Sequence, residues 1–226
     1  MPVIKNLITE LPENFTEMIC NSVPGIMNIS GSMDKISFYS EKIINSDDAS
    51  FLYKIHDCLQ ITDSDVAVKG GVNLKIGKAR EIFCSPVKII VYFATMGPEI
   101  DPSIQNFFSR EMAFEAYLYK SVASLLLKFF TDDCKKIIKD RMKSEYGFKT
   151  GCSYSPGYQY WEIEEQKKLT ELADPSSIGI ELDENCIMHP SISVSGIFGA
   201  GTDINEKSVT CSFCSEELCY LKKTDK

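Results

Sequence analysis

The sequence predicts an α+β fold: a mainly antiparallel twisted sheet packed by helices, one of them long. Three observations predict it. Val87 to Ala94 is a β-branched and aromatic run with the length of a buried strand. Glu111 to Tyr146 carries apolar residues at the three-and-four spacing of a helix face. Strands and helices are mixed without a repeating βα unit, which leaves the strands to pair antiparallel.

Residues 1–70 show weak periodicity, punctuated by turn signals at Pro24-Gly25, Gly31-Ser32 and Gly70-Gly71, and form the poorly recognised first part of the same domain. The core is expected over residues 71–205, with a cysteine-containing tail over 206–226. Leu74 to Phe83 reads as a short helix. The strand at 87–94 follows and ends at Thr95-Met-Gly-Pro98. A second helix is expected to open with Asp101 as N-cap and Pro102 at the first helical position, where a missing N–H costs nothing.

In the long helix, Leu118, Val122, Leu125, Leu126, Phe129, Phe130, Cys134, Ile137, Ile138 and Met142 form the buried stripe. That makes it a packing element, and Gly147 is its natural C-cap. Glu162 to Leu172 sets Ile163, Leu169 and Leu172 among charges, an exposed amphipathic helix stopped by Asp174-Pro175. Ile178 to Leu182 and Ile187 to Phe198 read as strands, the second alternating through Ile192 and Val194.

A chain of 226 residues, 44% hydrophobic, suffices for one sizeable globular domain. With 24 basic and 32 acidic residues it carries a net charge of −8, which argues against a nucleic-acid phosphate surface. The partner is expected to be a protein or a small molecule. No stretch approaches the roughly 20 apolar residues of a membrane helix. Met1-Pro-Val-Ile-Lys-Asn lacks the pattern of a secretory signal, so a cytoplasmic location is expected. Nine cysteines, mostly singletons, fit reduced thiols better than a disulfide framework.

The candidate site is Ser153-Tyr-Ser-Pro-Gly-Tyr158. Pro156 fixes one φ, and Gly157 permits backbone geometry that a Cβ would forbid. Such a loop can aim amides and carbonyls at a ligand. Tyr154, Tyr158, Tyr160 and Trp161 crowd around it with flat faces able to pack on an adenine or a corrin rim and attract a sulfonium. The same residues also describe a tight turn whose aromatics seal a core edge. Both readings are open at this point.

In the tail, Cys211, Cys214 and Cys219 have C-x2-C-x4-C spacing, three thiols able to approach tetrahedral coordination of zinc or to hold an iron–sulfur cluster. Cys186, Cys152 or His189 are candidates for a fourth ligand; the alternative is free thiols in the tail. His56 and His189 read as structural imidazoles. There is no Gly-x-Ser-x-Gly elbow, phosphate loop or His-Glu-x-x-His, and Glu164 and Glu165 read as a solvated helix face. No catalytic residue is proposed.

Ser155-Pro-Gly-Tyr158, Glu164-Glu-Gln-Lys167, Leu172, Ile178-Gly179, Leu182, Met188, Pro190 and Val194-Ser-Gly196 together resemble the activation (reactivation) domain of cobalamin-dependent methionine synthase, in its stand-alone form. Ala94-Thr-Met-Gly-Pro98 before a long helix is similar too, so the likeness runs from about Leu74 to Cys219. It implies a domain that binds S-adenosylmethionine through Ser153, Ser155, Pro156, Gly157 and Tyr158 and presents the methyl group to cobalamin on a partner, a corrinoid protein or cobalamin-dependent methyltransferase. The chain departs from the family at charged positions. Ser153 stands where the family has an arginine, Leu127 or Lys128 where it has an acid, and Ile192 where many relatives have a lysine. An arginine fork on a carboxylate is an oriented contact that serine cannot replace.

Three functions follow as expectations. The first is a reactivation component that positions the donor over a corrinoid. The second is a non-enzymatic adaptor that keeps the fold, has lost the donor site and caps a corrinoid protein. The third is a redox protein using a metal or iron–sulfur tail.

Overall fold

The run around Ile89 does not alternate because both faces of its strand are covered. In the computed structural model, which describes residues 2–5, 11–23, 26 and 31–206, this strand is β5 (Lys88–Thr95). It lies between β2 (Ser50–Ile61) and β9 (Ser193–Gly201), antiparallel to both, with Tyr92 opposite Tyr53 on one side and Gly196 on the other. Beyond β9 lies the edge strand β6 (Lys149–Tyr154); beyond β2 lie β3 (Asp65–Val68) and β4 (Asn73–Lys75), while β1 (Val3–Lys5) pairs with the start of β2. All of these pairings are antiparallel, as the mixed order of strands and helices predicts.

Each face of the sheet has its own helical layer. Ile90, Tyr92, Ala94, Phe51 and Phe198 meet α1 (Phe15–Ser22), α2 (Ser32–Ile44) and the long α5 (Ala113–Tyr146). On the opposite face Ile89, Val91, Phe93 and Ile197 pack with Tyr154 and Trp161, with α3 (Ala79–Phe83) and with α6 (Gln166–Leu172). Leu118, Val122, Leu126, Phe130, Cys134, Ile138 and Met142 make the buried side of α5. Ile137, expected in that stripe, instead falls on the exposed flank. Gly147 closes the helix at φ 66°, a left-handed cap.

Some boundaries differ from expectation. Leu74 belongs to β4; the helix is confined to 79–83 because Gly77 packs against Tyr160 and Lys78 turns the chain at φ 59°. α4 (Ile100–Ser109) starts after Glu99, and Asp101, inside its first turn, accepts hydrogen bonds from the Ser191 amide at 2.8 Å and from the Ser191 hydroxyl. Pro175–Ile178 is a 3-10 turn, so only Glu181–Leu182 (β7) is extended there, paired with Met188–His189 (β8). Pro190, which has no N–H to donate, separates β8 from β9. Among the described residues no helix is long and apolar enough to cross a membrane.

Candidate functional site

β6 delivers Ser153 and Tyr154 to the edge of the sheet, and the chain then turns through the Pro-Gly-Tyr loop. The loop closes on itself: Tyr158 N donates to Ser155 O at 3.2 Å, Gly157 N to Trp161 O at 2.8 Å, and Trp161 N to Tyr158 O at 2.9 Å. Gly157 sits at φ 87°, where a side chain would be strained and a Cβ would press on Ile163 Cδ1 at 3.3 Å. The amides of Gly157 and Tyr158 are therefore engaged inside the loop, and side chains dominate the surface it offers.

Its aromatics divide between the two roles read from the sequence. Tyr154 and Trp161 stack in the core, centroids 6.5 Å apart at 6°. Tyr160 packs over Gly77 with the Lys78 ammonium 4.9 Å from its ring centroid. Tyr158 stands edge-on to Tyr154 and is 47% exposed, at the rim of a groove.

That groove, of about 230 Å³, lies between the loop, the start of α6, β8 and the start of β9. Ser155, Pro156 and Tyr158 line one wall, and Met188, Ser191 and Val194 the other. Its floor is a hydrogen-bonded chain. Ser155 Oγ donates to Ser195 O at 2.7 Å, and Ser195 Oγ donates to Gln166 Oε1 at 3.1 Å. All three side chains are buried, so their orientation is fixed before any ligand arrives. Gly196 makes the convergence possible: a Cβ there would lie 2.7 Å from Tyr154 O and 2.8 Å from both Ser155 Oγ and the Tyr92 hydroxyl.

Ser153, beside this floor, accepts a hydrogen bond from Lys135 Nζ of α5 at 3.2 Å. The ammonium lies 5.1 Å from the centroid of the Tyr92 ring and 3.5 Å from Asp132, which also binds Lys128 at 2.8 Å. Burial works against the charge, yet Tyr92, Asp132 and Tyr158 together hold the Lys135 pKa above the ordinary lysine value. Leu127 and Ile192, at positions where the resemblance expects charge, are buried apolar residues in the α5-side core, and Lys128 is paired with Asp132.

Sequence reasoning missed Lys135, Gln166 and Tyr92. A signal for Lys135 was present: it shares a helical stripe with Thr131, Ile138 and Met142, three buried residues of α5, so a lysine there faces the core.

Cys211, Cys214 and Cys219 lie outside the described residues. Among the candidate fourth ligands, Cys152 is buried with Sγ toward Ile82 O, Cys186 is buried under the groove, and His189 lies 3.6 Å from Asp183. The Asp183 carboxyl is held below its usual range, chiefly by the Ile187 amide. Among the described residues no group of three histidine, cysteine or acidic side chains is placed to hold a metal ion. His56 Nε2 lies 3.0 Å from Leu172 O, and burial, then Lys54, pushes its pKa down. A wider depression of about 480 Å³ between α6 and β7, lined by Lys167, Asp174 and Asp183 among others, contains none of the predicted site residues.

No curated protein matches the chain. Among solved structures, a crystal structure of the MetH reactivation domain bound to AdoHcy matches with a TM-score of 0.63 at 15% identity, over 90% of this chain and 79% of that one. At that identity the likeness is one of fold. The family described as "Vitamin B12 dependent methionine synthase, activation domain" matches residues 88–211, a segment that holds β5, Lys135, the Pro-Gly-Tyr loop and the whole groove. That match spans more than half of the chain, and the chain belongs to the activation-domain family of vitamin B12-dependent methionine synthase.

Proposed function

We propose that the groove beneath the Pro-Gly-Tyr loop binds S-adenosylmethionine and that the chain offers the methyl group to a corrinoid carried by another protein, assisting its return to the methylated state. The observation that carries this reading is the groove itself, built by family-matched residues and open along one side. Tyr158 and Ile187 stand about half exposed at its rim. A donor that must reach a second protein's cofactor needs such an open seat. The exposed Tyr158 ring offers a π face to a sulfonium, an interaction worth about 0.5–1 kcal/mol at an exposed site. The reactivation domain of matching fold was crystallised with AdoHcy, which adds support.

The reacting bonds belong to the donor and the corrinoid. This chain's contribution is position: Ser155, Ser195 and Gln166 form a floor that does not have to reorganise, so binding pre-organises the transfer. Calorimetric titration of the reduced protein with S-adenosylmethionine tests the reading. Saturable heat is expected; none at millimolar donor would sink it.

The adaptor reading draws on one observation, the burial of Leu127 and Ile192 at positions where the family places charge. It requires capture of a corrinoid protein by a chain that takes no donor, so the same titration separates the two.

A further inference from the structure

Among the described residues, those that line the groove include no charged side chain, and its walls are largely apolar, with Pro156 and Tyr158 on one side and Met188 and Val194 on the other. Such a seat takes an uncharged, flat group more readily than an ion, which would lose hydration there without gaining a partner. At about 230 Å³ it is also smaller than the roughly 300–1,000 Å³ of pockets that enclose a whole drug-sized ligand, so it holds one end of a ligand.

The hydrogen-bond donors of the lining show how that end is read. Ser155 Oγ donates to Ser195 O at 2.7 Å, Ser193 Oγ to Pro190 O at 2.7 Å, Ser195 Oγ to Gln166 Oε1 at 3.1 Å, and Ser191 Oγ to the Asp101 carboxylate. Each hydroxyl therefore has its single proton engaged within the protein. Gln166 differs. Its side chain is only 2% exposed and its carbonyl oxygen is held by Ser195, yet Nε2 has no hydrogen-bond partner among the described residues. A buried amide left unpaired is the condition of a donor that a ligand satisfies. The Cys186 thiol is a weak donor and Tyr158 stands out at the rim, which makes Gln166 the strong donor of the floor.

We propose that the groove seats the adenine ring of the ligand and that Gln166 is its specificity-determining residue, donating Nε2–H to a ring nitrogen, while the amino-acid end lies beyond the groove. The inference rests on the reading of the groove as a donor site and adds which part of the donor enters it and which group reads that part. An adenine ring suits both features: its face packs on apolar and aromatic walls, and its edge carries acceptor nitrogens for the amide. The ligand class is an adenine nucleoside sulfonium or thioether, taken with little regard to the charges at its far end.

The test is calorimetric titration of the wild type, Gln166→Met and Gln166→Glu with S-adenosylmethionine, S-adenosylhomocysteine, 5′-methylthioadenosine and the 1-, 3- and 7-deaza forms of the last. The wild type is expected to bind S-adenosylhomocysteine and 5′-methylthioadenosine, thioethers that differ in the amino-acid end, within about threefold of each other. One deaza form should bind about fivefold more weakly than its parent, the loss of one neutral hydrogen bond. Gln166→Met, which keeps the volume, should bind 5′-methylthioadenosine about fivefold more weakly and no longer distinguish that deaza form, the signature of a shared contact. Gln166→Glu, which keeps an oxygen for Ser195 and turns an acceptor toward the ring, should lose at least as much. S-adenosylhomocysteine bound more than about tenfold tighter than 5′-methylthioadenosine would show that the charged end is read, and overturns the proposal. So would a wild type indifferent to all three deaza forms, a result that needs no variant to fold. A Gln166→Met protein that binds 5′-methylthioadenosine like wild type, or still distinguishes the deaza form, overturns it as well. In each of these cases S-adenosylmethionine binding by the wild type leaves the donor reading standing; a wild type that binds none of the ligands overturns both.

Discussion

At Ser153 the side chain is too short to hold an anion alone, and its hydroxyl accepts from Lys135. The family resemblance expects an arginine at this position, and here the cation in contact with the serine comes from α5. Restoring the arginine would then bring a second positive charge against a buried first one. Ser153→Arg is expected to destabilise the fold by about 1–2 kcal/mol through like-charge repulsion in a half-buried place. The exchange Ser153→Arg with Lys135→Ser should recover most of it, a coupling of about 1 kcal/mol between contacting residues. Urea denaturation of Ser153→Arg, Lys135→Ser and the double variant measures this, and a Ser153→Arg protein as stable as wild type would refute the contact. The loop was legible in the sequence because Pro156 and Gly157 each narrow the backbone to few conformations. Lys135 was harder to read, since helical periodicity says which side of α5 it occupies but not which strand residue, 18 positions later, lies opposite.

Among elements, β5 and α5 were legible because burial gives each an uninterrupted signature. β2 was not. Its first half, Ser50 to Tyr53, is buried on both faces, while the second half is partly exposed, so its 12 residues show neither a clean run nor a clean alternation. The start of α4 was misplaced for a related reason: Asp101 has the chemistry of a cap, but tertiary structure uses its carboxylate to hold Ser191, on the far side of the groove. This tie pins the β8–β9 connection to α4. Asp101→Ala is expected to cost about 1 kcal/mol, at the low end for a charged hydrogen bond because the pair is exposed. For a chain of this size that is a melting temperature lower by about 2–4 °C. It should also weaken donor binding, since Ser191 lines the groove. Scanning calorimetry of Asp101→Ala checks the first effect, and an unchanged melting temperature would mean the tie contributes nothing.

In the whole molecule, one sheet separates two cores, and the face covered by α1, α2 and α5 carries Tyr92, Lys135 and Ser153. The contact between Lys135 and Ser153 therefore depends on α5 staying docked. Cys134, adjacent to Lys135, reports on that docking. It is fully buried, and burial, then the nearby Asp133 charge, pushes its thiol up to about 12. A group whose pKa is raised stays neutral until the pH approaches the new value, so at pH 8 about one thiol in ten thousand is the reactive thiolate, against about one in ten once unfolding restores the ordinary range. Iodoacetamide labelling at pH 8, read peptide by peptide, should leave Cys134 unmodified while the partly exposed Cys20 and Cys84 react. Added urea should make Cys134 react in step with global unfolding, since loss of the α5 contacts dismantles one of the two cores. Labelling of Cys134 in native buffer at the rate of Cys84 would show that α5 lifts from the sheet by itself. The Lys135–Ser153 contact would then form only part of the time.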